Sequence, residues 1–170
     1  MVLLLSDRKN KCESDIIEIL SKYGAQHISD KFIGSESGKF AILSLYKKST
    51  VNLSKGIAVF LDNGHRFINQ EIPVGIIGIC EEKNKTALEI FKKNGIAVIS
   101  CGLSSKNSIT LSSMGNEQLF ACLQRSVQNY NGEIIDPCEL KIKLTKNYEP
   151  FSVMASTAIL LLTNITPQEF

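Results

Sequence analysis

The stretch that most constrains the fold is residues 74–101, where two short apolar runs enclose an amphipathic segment. The run 74–80 is apolar throughout, the run 96–101 is rich in β-branched residues, and residues 82–94 follow helical spacing. Strands that are apolar on successive residues are buried on both faces, as is typical of parallel strands joined by a helix. We therefore predict a parallel βαβ unit at the centre of a sheet.

Further strands and helices precede this unit. Residues 2–5 form a short apolar run, and residues 12–23 follow helical spacing up to Gly24, a residue type that often ends helices. Residues 26–33 and 39–46 flank a stretch rich in Gly and Ser, which predicts an antiparallel hairpin. A second crossover is therefore expected near the amino end.

Two Asn-Gly steps are strong hairpin signals. Asn63-Gly64 follows the strand-like run 56–61, and Asn131-Gly132 separates residues 118–128 from residues 133–144. Residues 116–127 also fit a helix in part, but their alternation favours a strand.

The last predicted element is a helix over residues 151–162, whose wide apolar stripe indicates that it is largely buried on a sheet. The elements together predict an α/β fold with a mixed sheet: a parallel βαβ core of the Rossmann-like, three-layer kind, with antiparallel hairpins. A chain of 170 residues with 44% hydrophobic residues can bury a sizeable core, and we predict a single domain over residues 1–170.

Charge and cysteine usage limit the partners. The formal net charge is only +2 and the basic residues are scattered, which disfavours nucleic acid as a ligand. The five cysteines show no Cys-x-x-Cys spacing, and residues 1–5 are too short for a signal-peptide core, so we expect a reduced, cytoplasmic protein. The longest apolar run, residues 153–162, is too short to span a bilayer, and no membrane partner is expected.

The candidate ligand site lies where the second strand of the βαβ unit ends, because ligands of parallel sheets bind at the carboxyl ends of strands. Its residues combine a flexible backbone with hydroxyl, amide and cationic groups: Cys101, Gly102, Ser104, Ser105, Lys106 and Asn107. Lys106 favours a small anionic metabolite. The same residues also suit an ordinary polar connection.

Other motifs point to no cofactor and no metal. Gly34 to Lys39 is shorter than a phosphate-binding loop and Phe40 follows the lysine, so a hairpin turn is the favoured interpretation. A chain with only two histidines cannot form a multi-histidine metal site, and Asp62 beside His65 is better explained by a turn than by acid/base chemistry. No catalytic residue is predicted.

Cys80 and Cys101 end the two strands of the βαβ unit. Either could be a nucleophile if a cation or a helix amino terminus stabilised its thiolate, but Glu81 and Glu82 oppose this at Cys80. Inert packing of both cysteines is the favoured interpretation.

The carboxyl half carries a family resemblance. Residues 99–103 match a strand, residues 142–144 the last strand of a hairpin, and residues 155–160 the alanine-rich turns of a helix that ends before Ile165-Thr166-Pro167. This succession resembles the later part of the central domain of Mur ligases, the ATP-dependent peptidoglycan-precursor ligases. The resemblance implies a Mur-central-domain-like three-layer fold.

The sequence departs from that family at the residues that carry its chemistry. Tyr148-Glu149 stands where the family has a His-Asn step, and Ser152 stands where it has a second Asn. The Thr-Gly-x-x-Gly-Lys-Thr/Ser phosphate loop is missing. The resemblance therefore implies the fold without the ATP chemistry, and no family catalytic residue transfers to this chain.

Three functional hypotheses follow. The leading one is a non-catalytic module that binds a ligand or a partner and is related to a degenerate Mur-ligase-like domain. The second is a cysteine- or transferase-type enzyme with a site near Cys80 and Cys101. The third is a homo-oligomeric assembly protein, because exposed antiparallel ribbons such as the one around Asn131 can pair across a dimer.

Overall fold

The computed structural model describes residues 1–29, 32–33, 38–115 and 117–170. The strands are β1 (Val2–Leu5), β2 (Ala25–Ser29), β3 (Phe32–Ile33), β4 (Phe40–Leu45), β5 (Gly56–Phe60), β6 (Ile76–Glu81), β7 (Ala97–Cys101), β8 (Ile109–Met114), β9 (Gln118–Leu123), β10 (Val127–Gln128), β11 (Ile134–Ile135) and β12 (Cys138–Lys143). The helices are α1 (Lys11–Ser21), α2 (Lys85–Lys93) and α3 (Pro150–Leu162), and a 3₁₀ turn covers His65–Phe67.

Ten of these strands form one mixed sheet in the order β12-β9-β8-β7-β6-β5-β1-β4-β2-β3. The six strands from β7 to β2 run parallel to one another, and β8 is parallel to β7. β9 is antiparallel to both β8 and β12, and β3 is antiparallel to β2. β10 and β11 form a separate two-stranded ribbon. The predicted α/β fold with a mixed sheet is confirmed.

The βαβ unit has the predicted form. β6 and β7 are parallel, with Ile77 opposite Ala97, and α2 joins them. α2 begins three residues later than predicted because Asn84 caps it: the Asn84 side-chain oxygen accepts the Ala87 N–H at 3.0 Å. Glu81 remains in β6 instead of joining the first helical turn.

The sheet is covered on both faces, which makes the fold three-layered. Alternating side chains of each buried strand point to opposite faces. Leu3 and Leu5 of β1 belong to the core that contains α2, whereas Val2 and Leu4 belong to the core that contains α1 and α3. This two-sided burial explains why the parallel strands are apolar on successive residues.

α3 is the most deeply buried helix among the described residues. All of its residues from 152 to 162 are buried, as its wide apolar stripe predicted. In the part of the chain that the structure describes, no helix combines the length and the apolar character needed to cross a membrane.

The antiparallel hairpin predicted between residues 26–33 and 39–46 is wrong, because β2 and β4 run parallel. The antiparallel partner of β2 is β3, which returns the chain to the end of the sheet where β2 began. There the Lys39 N–H donates to the Gly24 carbonyl at 2.9 Å, so β4 starts beside the start of β2. Residues 34–37, the centre of the predicted turn and of the phosphate-loop comparison, lie outside the described residues.

The hairpin predicted at Asn63-Gly64 is also wrong. β5 lies between β1 and β6 and is parallel to both. Gly64, with a φ of 62°, instead leads into the 3₁₀ turn. Phe67 of that turn is buried against Phe60, with 5.8 Å between the ring centroids, so the chain leaves the sheet and packs on its face.

The hairpin predicted at Asn131-Gly132 is confirmed. β10 and β11 pair antiparallel, and Gly132 adopts a φ of 84°. The strand predicted within residues 118–128 is confirmed as β9 and β10. The carboxyl half thus supplies an antiparallel extension of the parallel sheet.

Candidate functional site

The predicted ligand loop follows β7 and is closed by hydrogen bonds of its own. The Asn107 N–H donates to the Ser104 carbonyl at 3.0 Å, and the Asn107 side chain donates to Glu82 Oε2 at 2.6 Å. Gly102 permits this closure, since a Cβ there would lie 2.6 Å from Asn107 Nδ2. The loop is therefore fastened to the connection between β6 and α2.

The six predicted ligand residues differ in exposure. Cys101, Gly102 and Asn107 are buried, Ser104 is partly exposed, and Ser105 and Lys106 are exposed. Burial raises the pKa of the Cys101 thiol well above its ordinary value, and the Asn107 amide is already engaged. The structure thus brings only the Ser104, Ser105 and Lys106 side chains to the surface together. Their contact with a ligand stays a prediction.

The carboxyl edge of the sheet is closed where the connections diverge. β1 leads through α1 to one half of the sheet and β5 leads to the other half, so a ligand crevice is expected between their ends. There Asp62 accepts hydrogen bonds from Ser6 Oγ at 2.6 Å and from the Asp7 N–H at 2.9 Å. The Asp7 carboxylate accepts the backbone N–H groups of His65 at 3.1 Å and Arg66 at 2.8 Å. The backbone N–H groups of Asp7, His65 and Arg66 are therefore bonded to these carboxylates and are not free to bind a ligand.

The hydrogen bonds of Asp62 agree with the turn interpretation. Besides the donors from the β1 end, Asp62 accepts the Gly64 N–H at 3.0 Å. His65 enters this network through its backbone N–H, not through its ring. The contacts therefore support a structural role for Asp62 and not an acid/base pair.

A groove of about 710 Å³ lies at the opposite, amino end of the parallel strands. Its walls are the starts of β6 and β7, the residues just before β5, the segment that leads into the β10–β11 ribbon, and the last residue of α3. The main lining residues are Ser54, Lys55, Val74, Ile77, Ala97, Val98, Ile99, Arg125, Val127, Asn129, Tyr130 and Leu162.

The groove exists because β8 starts late. β7 and β8 share a single pairing, Cys101 with Ile109. The first part of β7 therefore has no strand on the side away from β6. The chain returns through β9, and the Tyr130 N–H donates to the Leu162 carbonyl at 3.0 Å, which fastens the ribbon to the end of α3. The groove is the space between this ribbon and the start of β7.

The lining is apolar with a positive charge. Lys55 and Arg125 are its two charged residues, both are exposed, and no Asp or Glu is among the residues lining it. Arg125 Nη2 donates to the Lys106 carbonyl at 2.6 Å, which holds the guanidinium next to the predicted ligand loop. The groove therefore presents cations to whatever enters it.

One polar group of the lining has no partner. Tyr130 Oη is buried and makes no hydrogen bond with the residues that the structure describes. Burial raises the pKa of this phenol, so the group stays protonated and remains a donor at neutral pH. A buried hydroxyl without a partner is destabilising, so this phenol lowers the stability of the fold next to the groove.

The cysteines are poorly placed for nucleophilic chemistry. Cys80 and Cys101 are buried, and burial raises the pKa of Cys80 to about 12, with a further contribution from the charge of Glu81. A reactive cysteine needs an accessible thiolate. The geometry therefore favours inert packing of both side chains.

Sequence reasoning missed the groove residues. Arg125 belongs to no sequence motif, and Tyr130 is notable in the sequence only because it precedes the Asn131-Gly132 turn. The available signal was the Asn131-Gly132 turn, which predicted the ribbon but not where the ribbon packs. Its position depends on where β8 begins, and no local pattern specifies that.

Comparison with known proteins gives a likeness at the level of the fold. No family model matches the chain, and no curated protein matches it. The crystal structure of UDP-N-acetylmuramate:L-alanyl-gamma-D-glutamyl-meso-diaminopimelate ligase (MPL) from Neisseria meningitides superposes with a TM-score of 0.57 and 10% sequence identity. The superposition covers 98% of this chain and 63% of the ligase chain.

At this identity the likeness shows a shared fold alone. The resemblance to Mur ligases is therefore confirmed for the architecture, while the sequences show no family relationship. The chain spans less than two thirds of the length of the ligase chain that it matches.

Proposed function

We propose that this chain is a binding module without catalysis of its own, and that its groove takes up a ligand carrying an anionic group. The observation that supports this is the charge of the groove: Lys55 and Arg125 line it and no acidic residue does. An arginine guanidinium donates paired hydrogen bonds to carboxylate and phosphate, and such charged hydrogen bonds are about twice as strong as neutral ones.

The size of the groove agrees with this proposal. Its volume of about 710 Å³ lies within the usual range of ligand sites, about 300–1,000 Å³. Ile77, Ile99, Val127 and Leu162 supply apolar surface that can cover the uncharged part of a ligand. The module would then be related to a Mur-ligase-like domain that kept the sheet and lost the phosphate loop.

Thermal-shift measurements test the proposal with nucleotides, sugar nucleotides and phosphorylated metabolites. A ligand that binds the folded state raises the melting temperature, and the stabilisation grows with the logarithm of the ratio of ligand concentration to Kd. We expect a stabilising compound whose affinity falls by about ten- to a hundredfold in Arg125→Ala, since a charged hydrogen bond contributes about 1.5–3 kcal/mol. Lys106→Ala tests the predicted loop in the same way, and Lys141→Ala on β12 is a matched loss of charge at an exposed residue that does not line the groove.

Two results would contradict the proposal. One is a stabilising compound whose affinity is the same in wild type, Arg125→Ala and Lys106→Ala, because it would bind elsewhere. The other is that no anionic ligand of any class, acidic peptides included, stabilises the protein. If only Lys106→Ala lowers the affinity, the ligand binds the loop after β7 and not the groove.

Association of two copies is a second candidate function, because Ile134 on the β10–β11 ribbon is 72% exposed. A short ribbon with an exposed apolar side chain and free edges can pair with a second copy. Sedimentation over a hundredfold range of concentration should then show a dimer that Ile134→Lys abolishes. A monomer at every concentration would contradict this candidate.

A further inference from the structure

The start of β7 carries unpaired backbone groups on the side that faces the groove. The Glu82 N–H donates to the Cys101 carbonyl on the β6 side of the strand, and the Ser108 N–H donates to the Ser100 carbonyl on the other side. Successive residues of a strand direct their backbone groups to opposite sides, so Val98 points the same way as Ser100. Among the described residues, β7 pairs on this side only through Cys101 with Ile109 of β8, so Val98 has no strand partner there.

Unpaired backbone groups along a strand edge favour pairing with a further strand. An unpaired N–H and C=O pair that is partly removed from water is destabilising, and edge strands satisfy such groups by pairing with further chains. Val98 is half-buried, so water reaches its backbone less freely than on an open edge. The groove is the space beside these unpaired backbone groups of β7.

We propose that an extended peptide segment with acidic residues binds in the groove as an added strand along β7. Its backbone pairs with the free groups of Val98 and with the Ser100 N–H, and its carboxylates meet Lys55 and Arg125. The inference rests on the proposed function, since it names the ligand class for the same groove.

The position of the two cations fits a short strand. The free edge from Ala97 to Ser100 is four residues long, which is about 13 Å of extended chain at 3.3 Å per residue. Lys55 precedes β5 and lies at the amino end of the parallel strands. Arg125 lies at the other end, where its guanidinium donates to the Lys106 carbonyl at 2.6 Å. A peptide with acidic side chains at both ends of a short apolar segment would reach both Lys55 and Arg125.

The lining between these cations suits the alternation of a strand. Ile99, Val127 and Leu162 line the groove and offer apolar contacts to every second side chain. A peptide therefore satisfies the backbone groups and the cations together.

Selection from random heptapeptides displayed on phage tests the inference, with counter-selection against the Lys55→Glu/Arg125→Glu variant. We expect peptides in which apolar residues alternate and acidic residues flank them. Synthetic peptides from the selection should bind the double variant at least about tenfold more weakly, as expected for the loss of charged hydrogen bonds. Lys92→Glu/Lys141→Glu changes the net charge equally at exposed positions away from the groove and should bind as wild type does.

N-methylation of the peptide tests strand pairing on the unchanged protein. Methyl groups on the alternate amides that face β7 should weaken binding at least about tenfold, and methyl groups on the intervening amides should not. Hydrogen exchange of the Val98 amide should slow in the complex. Equal affinity of both methylated peptides, or binding that leaves this amide unchanged, would overturn strand addition.

The outcomes separate this inference from the proposed function. A phosphorylated metabolite that binds through Arg125, together with a selection that returns no groove-binding peptide, would overturn the peptide inference and leave the proposed function in place. Failure of both the metabolite panel and the peptide selection would overturn both.

Discussion

Glu13 is a carboxyl group in the core, and one hydrogen bond holds it. The residue is 1% exposed, Tyr46 Oη donates to its Oε1 at 2.5 Å, and Oε2 has no partner among the described residues. Burial, together with the hydrogen bond to Glu13, raises the pKa of Tyr46 to about 12. The phenol therefore stays a donor at every pH at which the fold is studied.

Tyr46→Phe should destabilise the protein by about 1.5–3 kcal/mol, because the buried Glu13 carboxyl loses its hydrogen bond. Chemical denaturation measures the free energy of unfolding. The double variant Tyr46→Phe/Glu13→Gln should lose less stability than the sum of the losses in the two single variants, since the residues act as a pair. Strictly additive losses would contradict the pairing.

His27 gives the stability a dependence on pH. It is half-buried on β2, its Nε2 lies 3.2 Å from Ser44 Oγ, and burial lowers its pKa below the ordinary 6.5 although the charge of Glu13 acts in the opposite direction. The unfolded chain then binds this proton more readily than the folded one. Stability is therefore lost as the pH falls below about 6.5.

We expect wild type to lose stability relative to His27→Gln when the pH is lowered from about 7.5 to about 5. The free energy of unfolding of both proteins, measured by denaturation across this range, gives the difference directly. His65→Gln is the matched substitution at the other histidine. A difference that is constant with pH, or that grows in favour of wild type in acid, would contradict the lowered pKa.

Among the elements, α2 approaches the sheet closely at one residue. A Cβ on Gly78 of β6 would lie 2.8 Å from three ring atoms of Phe91 on α2. Phe91 is fully buried, and its ring also meets that of Phe60 at 5.3 Å between centroids. The absence of a side chain at Gly78 thus sets how closely the helix packs.

Gly78→Ala should destabilise the protein by about 1–3 kcal/mol through overpacking against the Phe91 ring. Phe91→Leu alone also destabilises because it removes buried surface, but Gly78→Ala should cost less in that background. Thermal or chemical unfolding of the four proteins in this cycle measures the coupling. Equal costs of Gly78→Ala in both backgrounds would contradict the contact.

The elements also show what local patterns can predict. The βαβ unit over residues 74–101 was predictable because each strand is apolar on successive residues and the helix has its own period. The pairing of residues 26–33 with residues 39–46 was not, because a two-residue strand, β3, reverses the chain between them. Such a strand is too short to give a periodic signal.

The candidate site was less predictable than the fold. The loop from Gly102 to Asn107 was found at a strand end, as the rule for parallel sheets suggests. Arg125 and Tyr130 come together with it only because β8 starts level with Cys101 and leaves the first part of β7 open. That is a property of the complete sheet and of no single segment.

At the scale of the whole molecule, the carboxyl edge between β1 and β5 and the groove differ in what they offer an anion. At that edge, Asp7 and Asp62 accept hydrogen bonds across the connections after β1 and β5, so the Asp7 N–H is already bonded. The groove runs from Lys55, at the amino end of the strands, to Arg125 beside the loop after β7, and no acidic residue lines it. An anion is therefore expected in the groove and not between the ends of β1 and β5.

We expect no release of phosphate from ATP and Mg²⁺ above the blank rate. A phosphate loop joins a strand to a helix through glycines whose backbone N–H groups cradle phosphate. Here β1 and α1 are joined by Ser6 to Asn10 without a glycine, and the Asp7 N–H is already bonded to Asp62. Lys39, the lysine of the Gly-rich stretch, starts β4 instead of a helix.

A phosphate-release assay on wild type and Lys39→Ala checks this expectation. If ATP raises the melting temperature without turnover, the effect should be lost in Arg125→Ala, because the groove and not the carboxyl edge holds the anion. Turnover that disappears in Lys39→Ala would contradict the assignment. It would mean that the sheet keeps a phosphate site beside the start of β4.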